Sequence, residues 1–180
     1  NKIKYMFPKA HAAAYVLMAF RIAWYKVHYP KEFYCAYFTI RATSFDAKIM
    51  THGIEPVKSK MREIENNPNA KAVEKDMLTT LEVCYEFYRR GLTFDPIDLY
   101  KSDAVKFTIG DNSLRPPFTA IPGIGETAAH DIAAARRNGS FLSVEDLSMR
   151  CPKVSKAVIE LLRDNGVLND LPDTSQVTLF

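Results

Sequence analysis

The sequence predicts a mainly α-helical chain, and three observations carry that expectation. Residues 10–27, 31–42 and 70–90 contain neither Gly nor Pro and are rich in residues that favour helices. Breakers fall between those runs rather than inside them: Tyr29-Pro30, Gly53, Asn67-Pro68-Asn69 and Gly91. Strand-like alternation is confined to one short stretch, Ala104 to Ile109.

Taken in order, Ala10 to Val27 reads as a helix broken at Tyr29-Pro30, and Lys31 to Ala42 resumes as a second apolar helix. Ser44 to His52 is expected to be a short helix with Ser44 as its cap and Gly53 at its exit. Pro56 to Asn66 reads as a charged amphipathic helix with Pro in its first turn. Ala70 to Arg90 is a long helix closed by Gly91, with Met77, Leu81, Cys84, Tyr85 and Tyr88 along its apolar side. From Thr93 to Pro117 the character changes. Asp95-Pro96 and Asp98 mark turns, and Gly110-Asp111-Asn112 sends the chain back after the alternating stretch.

Ile121-Pro122-Gly123-Ile124-Gly125 is the most informative segment. Two glycines stand where a backbone bends sharply or lets a ligand come close, and the Gly-free run Glu126 to Asn138 follows as a helix. Successive N–H groups in such a turn, backed by the positive end of a helix, suit one phosphate. Thr127 can cap the helix or touch the phosphate; Ala128, Ile132 and Ala135 share a face, and Arg136-Arg137 close its end. The pattern resembles the helix-hairpin-helix motif, which implies sequence-independent binding of DNA phosphates through Gly123, Ile124, Gly125 and Thr127. Ser143-Val144-Glu145-Asp146 opens a short helix in the manner of a capping box, and Ser155 to Asn165 is another helix ending at Gly166. Residues 118–171 are therefore expected to form a tandem pair of helical hairpins, and 172–180 a flexible tail.

Composition excludes several classes. With 47% hydrophobic residues in 180, the chain can bury a core, and its mean hydropathy of −0.17 is that of a water-facing globular protein. No apolar run is long enough to span a membrane. The net charge is only +3, but residues 1–29 hold Lys2, Lys4, Lys9, Arg21 and Lys26 with no acid. Beyond Arg163 the sign reverses, with Asp164, Asp170 and Asp173 and no Lys or Arg. Cys35, Cys84 and Cys151 are odd in number and widely spaced, which reads as buried thiols in a reducing cytoplasm. His11, His28, His52 and His130 cluster with no carboxylate or thiol in sequence, so no metal site is expected. Asp95 and Asp98 are the one close acidic pair in the middle of the chain, and a Pro-containing turn is their expected role. No catalytic residue is assigned, and no Ser-His-Asp or Cys-His arrangement is present.

Near the start, Tyr5 and Phe7 offer faces on which a base can stack, while Lys9 and the start of the first helix can meet phosphates. Read without a ligand, the same aromatics staple the helix and Ala10, Ala13 and Ala14 let another surface pack closely. The segment Phe7-Pro8-Lys9-Ala10-His11-Ala12-Ala13-Ala14-Tyr15, continuing through Ala23-Trp24-Tyr25-Lys26 to Tyr29-Pro30, closely resembles the fingers of C-family bacterial replicative DNA polymerases. These are alpha subunits of DNA polymerase III, and the wording is similar to the PolC type.

The resemblance implies a partial fingers region over 1–91, a connecting region with a little β over 92–117, a helix-hairpin-helix module over 118–171 and a tail over 172–180. It implies that Tyr5, Phe7, Lys9 and His11 face the incoming deoxynucleoside triphosphate and the nascent base pair. It implies a parent enzyme, a DNA-directed DNA polymerase in the cytoplasm, whose paired aspartates and Mg2+ belong to a palm region. No matching Asp-x-Asp occurs here, so this piece alone is expected to be inactive and to bind no cofactor. Asn1 is not a start methionine, in line with a C-terminal piece of a longer protein. Gln176-Val177-Thr178-Leu179-Phe180 is similar to the Gln-x-x-Leu-Phe peptide of sliding-clamp ligands, with Gln176, Leu179 and Phe180 as anchors. The expected partners are thus duplex primer-template DNA, the nucleotide and the clamp, with no membrane. Two rivals stand beside this reading: a stand-alone DNA-binding module of repair or recombination, and a protein-interaction scaffold. Salt-dependent duplex binding separates the scaffold from both others.

Overall fold

The computed structural model describes residues 8–41 and 44–174. The chain opens with α1 (Lys9–His28) and α2 (Pro30–Ile40), joined at Tyr29 with Pro30 at the first position of the second helix. Then come α3 (Ala47–Met50), α4 (Ile54–Glu65) and α5 (Ala72–Arg89), followed by three short strands: β1 (Thr93–Phe94), β2 (Thr108–Ile109) and β3 (Ser113–Arg115). A 3-10 turn, Phe118–Ala120, leads into α6 (Glu126–Ala135) and a second 3-10 turn, Arg136–Asn138. The described part closes with α7 (Val144–Arg150) and α8 (Lys156–Asp164). The mainly α expectation is met.

Local differences from the sequence reading have identifiable causes. Asp46, not Ser44, caps α3, its carboxylate accepting from Lys48 N at 2.9 Å. Ser44 instead donates its hydroxyl to Asp76, which also pairs with Arg41 at 2.9 Å. The alternating stretch 104–109 is strand only at Thr108–Ile109. Before that, the Asp103 carboxylate accepts from Val105 N at 2.9 Å and Lys106 N at 3.0 Å, which bends the chain into a turn. β3 lies between the other strands, antiparallel to β2 and parallel to β1. Asp98 fills the expected turn role, accepting from Tyr100 N and Lys101 N, while Asp95 pairs with Arg115 at 3.0 Å.

Aromatic rings hold the first half together. Phe38 of α2, Phe45, Phe87 of α5, Phe94 of β1 and Phe107 form one cluster, with Phe87 and Phe94 stacked at 4.5 Å and Phe45 edge-on to Phe107 at 5.0 Å. The small sheet is therefore packed onto α2 and α5, and the buried core runs on through Leu114 and Phe118 into α6, α7 and α8. At the far end, Val144 N donates to Pro172 O at 2.9 Å and Arg163 pairs with Asp173 at 2.8 Å. The first two residues of the expected flexible tail are thus held against the start of α7 and the end of α8.

α1 stands apart. None of its twenty residues is buried, and Lys26 alone is partly covered. Tyr15, Leu17, Phe20, Trp24 and Val27 are all at least half exposed.

Candidate nucleic-acid interface

The first hairpin is seated from below. Phe118 N donates to Asp103 O and Thr119 N to Ala104 O, fixing the 3-10 turn on the loop after β1. Phe118, Ala120 and Ile121 are fully buried, so the segment enters the bend rigidly. Ile124 N donates to Ile121 O at 3.1 Å, and the Ile124 side chain is buried. Ile124 therefore holds the hairpin in the core, while the exposed surface belongs to its neighbours.

The two glycines differ. Gly123 adopts φ +95°, a left-handed conformation that an L side chain rarely takes. Gly125 has φ −80° and ψ 159°, which any residue can adopt, and is the N-cap of α6. No heavy atom outside its immediate neighbours lies within 4 Å of where its Cβ would stand. Among the described residues no side chain caps α6, so the N–H groups of its first turn lack a side-chain acceptor. Thr127 is exposed in that first turn and is not the cap. Gly125 thus opens an uncapped helix N-terminus to close approach by an anion.

Beside it lies a cleft of about 630 Å³, lined by the Thr39 end of α2, Asp46, Met77, Lys106, Thr119 and the segment Pro122 to Glu126. The Thr119 hydroxyl is buried there without a hydrogen-bond partner among the described residues. Lys106 brings one positive charge to the cleft, against Asp46 and Glu126.

Arg136 does not serve as a surface cation at the helix end. Its guanidinium donates to Leu99 O at 2.9 Å and Ser102 O at 2.6 Å and lies over the Phe118 ring. Arg150 does similar work between the hairpins, donating to Ala135 O at 2.6 Å, Gly139 O at 2.9 Å and Ser140 O at 3.1 Å. Carbonyls left over at the end of α6 are thereby satisfied, and α7 is bound to it.

The second hairpin is a copy of the first, thirty residues on. Cys151-Pro152-Lys153-Val154-Ser155 repeats Ile121-Pro122-Gly123-Ile124-Gly125 as apolar-Pro-x-apolar-small, and the buried and exposed positions of 151–160 match those of 121–130 one for one. Val154 N donates to Cys151 O at 3.0 Å, as Ile124 N does to Ile121 O. One difference is decisive: Ser155 caps α8 with its own hydroxyl, accepting from Val158 N. The second copy of the expected tandem pair carries Lys and Ser where the first has glycine.

Of the other candidates, Lys9 and His11 are exposed at the start of α1, with the His11 ring edge-on to Tyr15 at 4.5 Å. Tyr5, Phe7, Gln176, Leu179 and Phe180 lie outside the described residues. No group of three His, Cys, Asp or Glu side chains among the described residues is placed to hold a metal ion. Cys84 and Cys151 are buried and Cys35 is half-buried, all as free thiols. Burial pushes Cys151 up to about 11, helped by Asp131 nearby, which keeps it a neutral thiol at ordinary pH.

The model of the helix-hairpin-helix motif family matches residues 91–177. The whole chain aligns with proteins named DNA polymerase III PolC-type, at 54% identity for Listeria welshimeri, 51% for Clostridium perfringens and 52% for Thermotoga maritima. Over its full length the chain matches PolC-type DNA polymerase III. It spans 12% of the length of the Listeria welshimeri and Clostridium perfringens relatives and 13% of the Thermotoga maritima one. The family model covers the strands, both hairpins and the residues that hold Pro172, so it begins where Gly91 ends α5.

Proposed function

We propose that this chain supplies the duplex-holding and nucleotide-facing part of a replicative DNA-directed DNA polymerase. The observation that carries the reading is the open approach at Gly125 to the uncapped N-terminus of α6. A DNA phosphate seated there accepts from backbone N–H groups and meets the positive end of the helix, with no dependence on base sequence. Lys9 and His11 at the exposed start of α1, with Tyr5 and Phe7 just before them, face the incoming deoxynucleoside triphosphate and the nascent base pair. Divalent cations, Mg2+ among them, are held by palm aspartates that this chain does not contain, so its own part is binding and positioning. Gln176, Leu179 and Phe180 attach the enzyme to its sliding clamp, and weak attachment there raises the local concentration of enzyme on DNA. The setting is the cytoplasm; no described helix is long and apolar enough to cross a membrane.

Fluorescence anisotropy with two duplexes of unrelated sequence, each titrated across a range of salt, tests the central claim. Similar affinities for both, falling steeply with salt and lost together in Gly125→Val, are expected. Duplex binding that Gly125→Val leaves unchanged would remove the hairpin from the interface.

A further inference from the structure

The two hairpins are reciprocal in a way that separates their roles. Position 131 on α6 corresponds to position 161 on α8, and position 123 in the first hairpin to 153 in the second. Each helix reaches the other's hairpin from the same position. Leu161 lies against Gly123, where a Cβ would stand 2.9 Å from Leu161 Cδ1. Asp131 lies against Lys153, its carboxylate accepting from Lys153 N at 2.8 Å. The pairing is apolar at the first hairpin and anionic at the second.

We infer that Asp131 is the internal anion of the second hairpin, closing its Lys153 N–H to a DNA phosphate while the matching N–H of Gly123 stays open to one. A carboxylate at 2.8 Å from a backbone N–H is a charge-assisted bond of the kind a phosphate oxygen makes in such a turn. Lys153 N is taken by Asp131 and Val158 N by the Ser155 hydroxyl, whereas their counterparts in the first hairpin, Gly123 N and Ala128 N, have no side-chain acceptor among the described residues. The Cys151 thiol also points to Asp131, toward its backbone carbonyl at 3.9 Å, so both ends of this residue meet the second hairpin. At the first hairpin the matching helix position offers only Leu161 methyl groups, and Gly125 cannot cap as Ser155 does. Asp131 is in this sense a positioning residue: it locks the second hairpin so that α8 can present Leu161 to Gly123 and hold the first hairpin in shape.

The inference rests on the reading of the first hairpin as a phosphate site, and the test separates the two. The 15N-labelled 180-residue chain is titrated with a short duplex while backbone amide shifts are followed. The amides of Gly123 and Ala128 are expected to move, and those of Lys153 and Val158 to stay. Movement of Lys153 together with the first hairpin overturns the inference. Absence of movement at both hairpins overturns the phosphate reading of the first. Independently of DNA, amide exchange at Lys153 is measured in Asp131→Ala and Asp131→Asn. The Ala variant is expected to exchange at least about tenfold faster at Lys153 than the Asn variant, whose side-chain oxygen still accepts, with the core amides of Ile132 and Leu162 unchanged in both. Equal exchange in both variants and the unsubstituted chain sinks the lock.

Discussion

Gly123 and Leu161 meet so closely that a side chain at 123 would force Leu161 to shift: a Cβ on Gly123 would stand 2.9 Å from Leu161 Cδ1. This contact joins the first hairpin to the last helix and separates the consequences of changing its two glycines.

Gly123→Ala should act on stability. Its left-handed backbone costs an L residue about 1–2 kcal/mol, and Leu161 must shift as well. Thermal unfolding should show a lower midpoint. Gly125→Val should leave the fold nearly intact, since its dihedrals suit any residue and its surroundings are open. Duplex affinity should fall. Gly125→Ser should raise stability by roughly a few tenths of a kcal/mol by capping α6 as Ser155 caps α8, and weaken duplex binding at the same time. A Ser variant that binds DNA as well as the unsubstituted chain would contradict the site.

Arg136→Met should destabilise the chain by about 2–3 kcal/mol, because it removes a charged donor from two carbonyls and leaves Leu99 O and Ser102 O with less. The salt dependence of duplex binding should keep its slope, since Arg136 neutralises no phosphate. A shallower slope would place its guanidinium on DNA.

Glu86 makes stability depend on acid. Burial alone would raise its carboxyl, but the hydrogen bonds from Lys26 at 2.6 Å and Arg90 at 3.0 Å prevail and hold it below the usual value. A carboxylate depressed in the folded state contributes stability above its unfolded value of about 4.3, lost as pH falls through the folded value. The pair is about a third exposed, so the contribution is about 1 kcal/mol at most. Urea titrations at pH 7 and pH 3 should show a smaller loss in Glu86→Gln than in the unsubstituted chain.

Deleting residues 176–180 should abolish binding to the cognate clamp and leave duplex affinity unchanged. Leu179→Ala with Phe180→Ala should reproduce the loss, since these side chains supply the anchoring area. Calorimetric titration with the clamp decides it: equal binding by the shortened chain would rule out the tail.

The helices were legible because their ends are written locally. Pro30 starts α2, Gly91 and Gly166 follow α5 and α8 in left-handed backbone, and Ser155 caps α8. The Gly123-Gly125 hairpin was legible for the same reason. What escaped is non-local. Nothing near Thr93 tells that it pairs parallel with Ser113, and Ser44 looks like a cap until Asp76, on another helix, takes its hydroxyl. Asp131 reads as an ordinary helix-surface acid until the fold sets it against Lys153. The tandem pair of hairpins was legible, but the bond between Asp131 and Lys153 across it is written in neither segment alone.

The bareness of α1 divides the molecule into two thermal regimes. A helix that buries none of its side chains draws its order from intrinsic propensity and from whatever fastens its ends. Among the described residues the fastening is at its C-terminal end, where Lys26 meets Glu86 and the Lys26 carbonyl accepts from Arg90. Local order should therefore be greatest at that anchor. A surface lying along the exposed face of α1 would then add order that its own packing does not supply.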